Sequence, residues 1–145
     1  MNLNAISQWS LLISVLLAGD ATAGLLDSPA PTFSDGGGAT IVYRMGAIHF
    51  EPGAWVDTTL SCTNLSPDPA RIVLEIFDED DKLAGRIAQT TAAPGAGVTF
   101  ATSADADAPG AVIVRELPPI DHGKARVSAS TIKLACTAIN RIRAA

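Results

Sequence analysis

From Thr40 onward the sequence is cut into short apolar segments by turn residues, and no stretch after Gly24 carries an apolar stripe long enough for a helix. The segments span residues 41–50, 56–63, 71–77, 83–89, 98–102, 111–116, 125–130 and 132–139. Between them stand Glu51-Pro52-Gly53, Ser66-Pro67-Asp68-Pro69, Asp78-Glu79-Asp80-Asp81, Ala93-Pro94-Gly95, Ala108-Pro109-Gly110, and Pro118-Pro119 followed by Asp121-His122-Gly123. Pro presets a turn's φ, Gly supplies positive φ, and Asp bonds its own backbone, so each separator reads as a turn. This punctuation predicts an all-β domain: an antiparallel immunoglobulin-like or fibronectin-like β-sandwich of seven or eight strands. A chain of 145 residues holds one such domain.

The two cysteines, Cys62 and Cys136, sit on segments of period two. Val56, Thr58, Leu60 and Cys62 alternate with the polar Asp57, Thr59, Ser61 and Thr63; Ile132, Leu134, Cys136 and Ala138 share a face against Lys133 and Thr137. Period two makes both segments strands and points both sulfurs inward, so one disulfide is expected. Closing a loop of about 75 residues restricts the unfolded chain by roughly 4–5 kcal/mol on the loop-entropy model. A redox or metal thiol pair would call for CxxC spacing or a nearby His, and neither is present.

The first 23 residues read as a signal peptide. Leu11 to Ala18 is a short apolar run, and Ala21-Thr22-Ala23 is a small-x-small cleavage pattern. No Lys or Arg precedes the run, so the only positive charge there is the amino terminus. The run is far shorter than the about 20 residues of a bilayer-spanning helix, so no transmembrane span is expected. Export would place the chain in the periplasm or outside the cell, where disulfides persist. The remaining divisions are a flexible arm rich in Gly, Pro and Ser at residues 24–38, the sandwich at 39–140, and a short basic tail at 141–145.

The order Cys62-Thr63-Asn64, Leu74-Glu75-Ile76-Phe77-Asp78, Ala93-Pro94-Gly95, Val98-Thr99-Phe100, Ala125-Arg126-Val127 and Lys133-Leu134-Ala135-Cys136-Thr137-Ala138 resembles small exported bacterial β-sandwich proteins that have no assigned activity. The resemblance covers residues 56–139 and implies fold and export; it carries no site with it.

Candidate chemistry is sparse. The acidic run Asp78-Glu79-Asp80-Asp81 suggests calcium, a hard cation that takes carboxylate oxygens. Counted as an EF-hand loop it puts Lys82 at a ligand position, Leu83 where Gly is needed and Gln89 where the bidentate Glu belongs, so a solvated turn is favoured. Asp78, Asp80 and Asp81, with Asp105 and Asp107 if the fold gathers them, are the metal candidates. His49 and His122 are the only histidines, and Met45 lies two strand steps from His49, about 13–14 Å along the strand, too far to share an ion. No GxSxG or HExxH occurs, and Gly36-Gly37-Gly38 and Gly95-Ala96-Gly97 read as turn or linker glycines rather than phosphate cradles. Asn64-Leu65-Ser66 is a formal glycosylation sequon. Trp55 is the candidate aromatic anchor for a partner.

The net charge of −5 argues against nucleic acid, which needs clustered Lys and Arg. The expected role is therefore a non-enzymatic exported module, structural or interaction-bearing, binding another protein or a second copy of itself. The alternatives are a calcium-stabilised binding domain and a small secreted hydrolase or metal-dependent enzyme. No cofactor other than calcium is expected.

Overall fold

The structure, a computed structural model, describes residues 25–51, 56–103 and 108–142. Among these, a single 3-10 turn at Leu25–Asp27 precedes eight strands: β1 (Thr40–Phe50), β2 (Val56–Asn64), β3 (Ala70–Phe77), β4 (Leu83–Ala92), β5 (Gly97–Ala101), β6 (Val112–Ile113), β7 (Ile120–Ala129) and β8 (Leu134–Ile142). They form two four-stranded sheets, ordered β1-β7-β3-β4 and β6-β5-β2-β8. The pairings are antiparallel except that of β5 with β6, which is parallel. That corrects the purely antiparallel expectation: the chain doubles back after β5 and lays two residues alongside it in the same direction.

The alternating residues meet between the sheets. Ile72, Leu74 and Ile76 of β3 and Ala125, Val127 and Ala129 of β7 face Leu60 and Cys62 of β2 and Phe100 of β5 in one buried cluster. Each Ile, Leu, Val or Phe among them contributes about 1.5–3 kcal/mol when removed from water. Asn140 ties the sheets together at one side. Its Nδ2 donates to the Ala47 carbonyl (2.8 Å) and its Oδ1 accepts from Thr58 Oγ1 (2.8 Å), linking β8 to β1.

β7 begins five residues before the apolar segment read from the sequence and absorbs Asp121, His122 and Gly123, which read as a turn. Gly123 marks a close approach instead. A Cβ there would lie 2.4 Å from Ile120 Cγ2 and 2.7 Å from the Phe77 carbonyl oxygen. At the other end of the domain β8 runs to Ile142, so Arg141, expected in the tail, belongs to the sheet opposite Asp57.

The segment expected as a loose arm lies across the outer face of the β1-β7-β3-β4 sheet. Val73, Glu75 and Phe77 of β3 and Arg126 and Ser128 of β7 point away from the sandwich core, yet all are buried. Four ties run across the strands in order. Arg44 of β1 donates to the Leu26 carbonyl and pairs with Asp27 (both 3.3 Å). Arg126 of β7 donates to the carbonyls of Leu26 (3.0 Å), Ser28 (2.7 Å) and Pro29 (3.3 Å). Arg71 of β3 pairs with Asp35 and stacks 4.3 Å from the ring centroid of Phe33. Ser34 Oγ donates to Gln89 of β4 (3.3 Å). Residues 31–39 close as a small hairpin, with Phe33 N–H donating to Gly37 O (2.8 Å) and Ala39 N–H to Pro31 O (3.2 Å). Phe33 itself is buried. Proline, glycine and serine carry no apolar period, but backbone carbonyls, one ring and one carboxylate are enough to dock the segment.

Candidate functional site

Residues far apart in sequence meet at one end of the first sheet. β1 ends at His49 and Phe50, the next residue is Glu51, the β3–β4 turn brings Glu79, and the start of β7 brings Ile120 and Asp121 behind Pro119. They line an open cleft of about 320 Å³. Phe50, Pro119 and Ile120 give it apolar lining, and Glu51, Glu79, Asp121 and His49 bring three carboxylates and one imidazole.

Asp121 joins the two histidines. His49 Nδ1 lies 3.1 Å from the Asp121 carbonyl oxygen and 3.3 Å from its Oδ1, while His122 Nδ1 lies 3.1 Å from its Oδ2. A carbonyl oxygen only accepts, so the His49 bond requires the proton on Nδ1, and in neutral His49 the lone pair then sits on Nε2. That is the arrangement by which a carbonyl or carboxylate orients an imidazole to accept a proton or a ligand. Adjacent residues in a strand point to opposite faces, which is why Asp121 and His122 gave no sequence signal for a shared site. Their contact here is made by Asp121 turning between two rings, and both Asp121 and His122 are solvated.

The acidic run is divided. Only Glu79 lines the cleft. Asp78 Oδ1 accepts from the N–H groups of Asp80 (3.0 Å) and Lys82 (2.8 Å), closing the turn; Asp80 pairs with Lys82 (3.4 Å) and Asp81 with Lys124. Asp81 adopts φ 64°, the left-handed conformation that Asp tolerates in turns. Three of the metal candidates are thus engaged by the protein's own backbone and lysines, and Asp105 and Asp107 lie outside the described residues. Among the described residues no group of three or more His, Cys, Asp or Glu is gathered closely enough to hold a metal ion. Met45 packs against the core while His49 faces the cleft. Trp55 and residues 1–23, expected as a signal peptide, also lie outside the described residues.

Cys62 and Cys136 are disulfide-bonded. They are directly opposed on β2 and β8 within one sheet, with Cα atoms 4.1 Å apart, rather than bridging the two sheets. The sequon asparagine has a structural use. Asn64 is fully buried, its Nδ2 donating to the carbonyls of Asp68 (2.8 Å) and Ala92 (3.1 Å) and its Oδ1 accepting from the Ser66 N–H (2.9 Å). An amide so enclosed offers no nitrogen to a glycan.

A second constellation crosses the covered face. Arg44, Arg126, Glu75 and Arg86 stand at successive register positions on β1, β7, β3 and β4. Arg126 Nε lies 2.6 Å from Glu75 Oε2, its guanidinium stacks 5.2 Å from the Phe77 ring centroid, and its remaining donors grip residues 26–29. Arg86 reaches Glu75 Oε1 at 3.9 Å. The hint in the sequence was the double parity of β3: Val73 and Phe77 are apolar on one face while Ile72, Leu74 and Ile76 are apolar on the other, as in a strand covered on both sides.

Fold and sites together define a disulfide-linked β-sandwich with an open histidine–carboxylate cleft and a peptide segment held on one sheet. No family model matches the chain, and no curated protein or solved structure matches it. Among the described residues, no helix is long and apolar enough to cross a membrane.

Proposed function

We propose that the chain is an exported, non-enzymatic β-sandwich module, structural or interaction-bearing, one of whose sheets holds a polypeptide segment through its backbone. The observation that carries this reading is the grip of Arg126 on residues 26–29. A guanidinium anchored by Glu75 and Phe77 presents its remaining N–H groups to the main-chain carbonyls of Leu26, Ser28 and Pro29. Main-chain recognition of this kind reads the backbone of a segment, here a 3-10 turn and the residues after it, rather than a particular side chain, and Arg44 adds a preference for an acidic neighbour, here Asp27. Immunoglobulin-like connectivity accords with the central pairs, β2 with β5 in one sheet and β3 with β7 in the other. Relative to that pattern the first strand joins β7 and the last joins β2. The linked cysteines suit an oxidising compartment, periplasmic or extracellular.

The test is the intact mass of the natively exported protein before and after reduction and alkylation. A mass beginning at Gly24, with both cysteines blocked until reduction, is expected. A full-length chain with free thiols overturns the exported reading. The cleft favours a second reading, a small hydrolase or metal-dependent enzyme acting through His49 Nε2. His49→Ala and His122→Ala variants that leave unchanged any activity found in the protein remove it.

A further inference from the structure

Among the described residues, each sheet edge carries its own backbone protection except one. β1 is broken by three register shifts along β7 and has residues 26–27 tied to Arg44. β4 carries shifts against β3, and its Gly85 is covered by Leu117, against which a Cβ would lie 2.3 Å away. β6 is two residues long. Bulges, short strands and covering segments are the usual means of blocking an edge. Among the described residues β8 has none of these. It pairs with β2 over nine consecutive positions without a shift, and its stretch from Leu134 to Asn140 contains no charge, proline or glycine.

The backbone of β8 states which groups are unused. A Cα separation of 4.1 Å between Cys62 and Cys136 is that of a non-hydrogen-bonded antiparallel pair, in which both residues turn their N–H and C=O away from each other. Leu134, Cys136 and Ala138 therefore direct their ladder groups to the free edge, and the odd-numbered residues direct theirs to β2. The Leu65 N–H bonded to the Lys133 carbonyl (2.9 Å) obeys the same parity. On the side-chain faces Ala135, Thr137 and Ile139 are exposed.

We infer that β8 is a homodimer edge that pairs antiparallel with β8 of a second copy, in the register centred on Cys136. This rests on the reading of the chain as an interaction module and names its partner. In that register Leu134 meets Ala138 of the second copy, Cys136 meets its own equivalent, and the outward ladder groups of all three residues are satisfied. Charge selects it. A shift by one ladder step, pairing Cys136 with Ala138, would set Lys133 directly opposite Arg141, whereas the Cys136-centred register sets Lys133 opposite Ile139, whose exposed side chain can cover the lysine stem. The two β6-β5-β2-β8 sheets then become one eight-stranded sheet about a two-fold axis, and the disulfide on each side of the axis fastens the joining strand to its own sheet.

The experiment is sedimentation equilibrium of the oxidised, exported protein over a wide concentration range, with three variants. Ala138→Pro removes an outward N–H and leaves the bonds to β2, so it should abolish the dimer at an unchanged melting temperature. Ile139→Lys, opposite Lys133, should weaken association about fivefold, and Ile139→Glu should strengthen it by a similar factor. Should Ala138→Pro fail to fold, the opposite responses of the two Ile139 variants decide alone. A protein monomeric at every concentration overturns the inference, as does a dimer indifferent to Ala138→Pro or weakened alike by both charges. None of these readouts depends on export or catalysis, so failure of the dimer is distinguishable from failure of the module reading.

Discussion

Arg126 and Glu75 face each other on adjacent strands, joined at 2.6 Å and almost wholly removed from water, on the side of the sheet that points away from the sandwich core. Removing one member of such a pair leaves the other charged and uncompensated. Glu75→Gln is expected to lower stability by about 3 kcal/mol in urea unfolding. Replacing both, as Glu75→Leu with Arg126→Met, should recover most of that loss. The double variant still lacks the donors that hold residues 26–29, so limited proteolysis should cut it in that segment while the wild type resists. Equal resistance in both would show that Arg126 does not hold the segment.

The hairpin at residues 31–39 depends on a carboxylate. The Gly37 N–H, then the Arg71 guanidinium, hold the Asp35 carboxyl below its ordinary value of 3.8. A folded-state pKa below the unfolded one means that the contribution is fully present above the unfolded value and is lost as pH falls through the lower, folded one. Protection factors of the Phe33 and Gly37 amides, taken relative to the intrinsic exchange rate at each pH, should therefore be high at pH 5 and fall below about pH 3.8. In Asp35→Asn the same amides should exchange faster throughout and show no acid step. A step that persists in the variant would assign it to another group.

Most of the scaffold was written in local pattern. Alternation around Cys62 and Cys136 marked two strands and their inward sulfurs, and Pro-Gly and acidic clusters marked the turns, because both signals act over a few residues. What escaped was set by distant partners. Gly123 looks like a turn residue until Phe77 and Ile120 are seen to leave no room for a Cβ, and Pro29 and Phe33 look like linker until Arg126 and Arg71 are placed beneath them. The cleft draws His49 from the end of β1, Glu79 from the β3–β4 turn and Asp121 from the start of β7, so no motif spacing could have announced it.

Calcium should leave the melting temperature unchanged, to within a degree or so, in either added ion or chelator. The carboxylates that suggested it are engaged: Asp78 closes its turn through two backbone N–H groups, and Asp80 and Asp81 pair with Lys82 and Lys124. Binding to the native state alone would raise stability by about 2.7 kcal/mol at a hundredfold excess over Kd, easily seen in a melt. A rise of several degrees with calcium, reversed by chelator, would show that these contacts give way to the ion.

Gly123→Ala should be among the most damaging single methyl additions in the chain. The new Cβ would meet a backbone oxygen at 2.7 Å as well as a methyl at 2.4 Å, and a backbone oxygen cannot rotate aside. Overpacking of this kind costs about 1–3 kcal/mol. Gly46→Ala, where nothing lies within 4 Å, serves as the control and should be near neutral. Equal melting of the two variants would mean that β7 can draw away from β3 at no cost.

The disulfide closes a loop between residues 74 apart and fastens an edge strand that β2 alone pairs along its length. Replacing both cysteines by alanine should lower stability by about 4–5 kcal/mol on the loop-entropy account. The loss should also be uneven. β2 is held by β5 on its other side, whereas among the described residues β8 has no second neighbour in its sheet, so without the sulfur link β8 should open first. Hydrogen exchange checks this directly: the amides of Thr137 and Ile139 should lose protection well before those of β3 and β7. Uniform loss across both sheets would instead mean that the link acts only on the unfolded chain and that β8 is held by its packing alone.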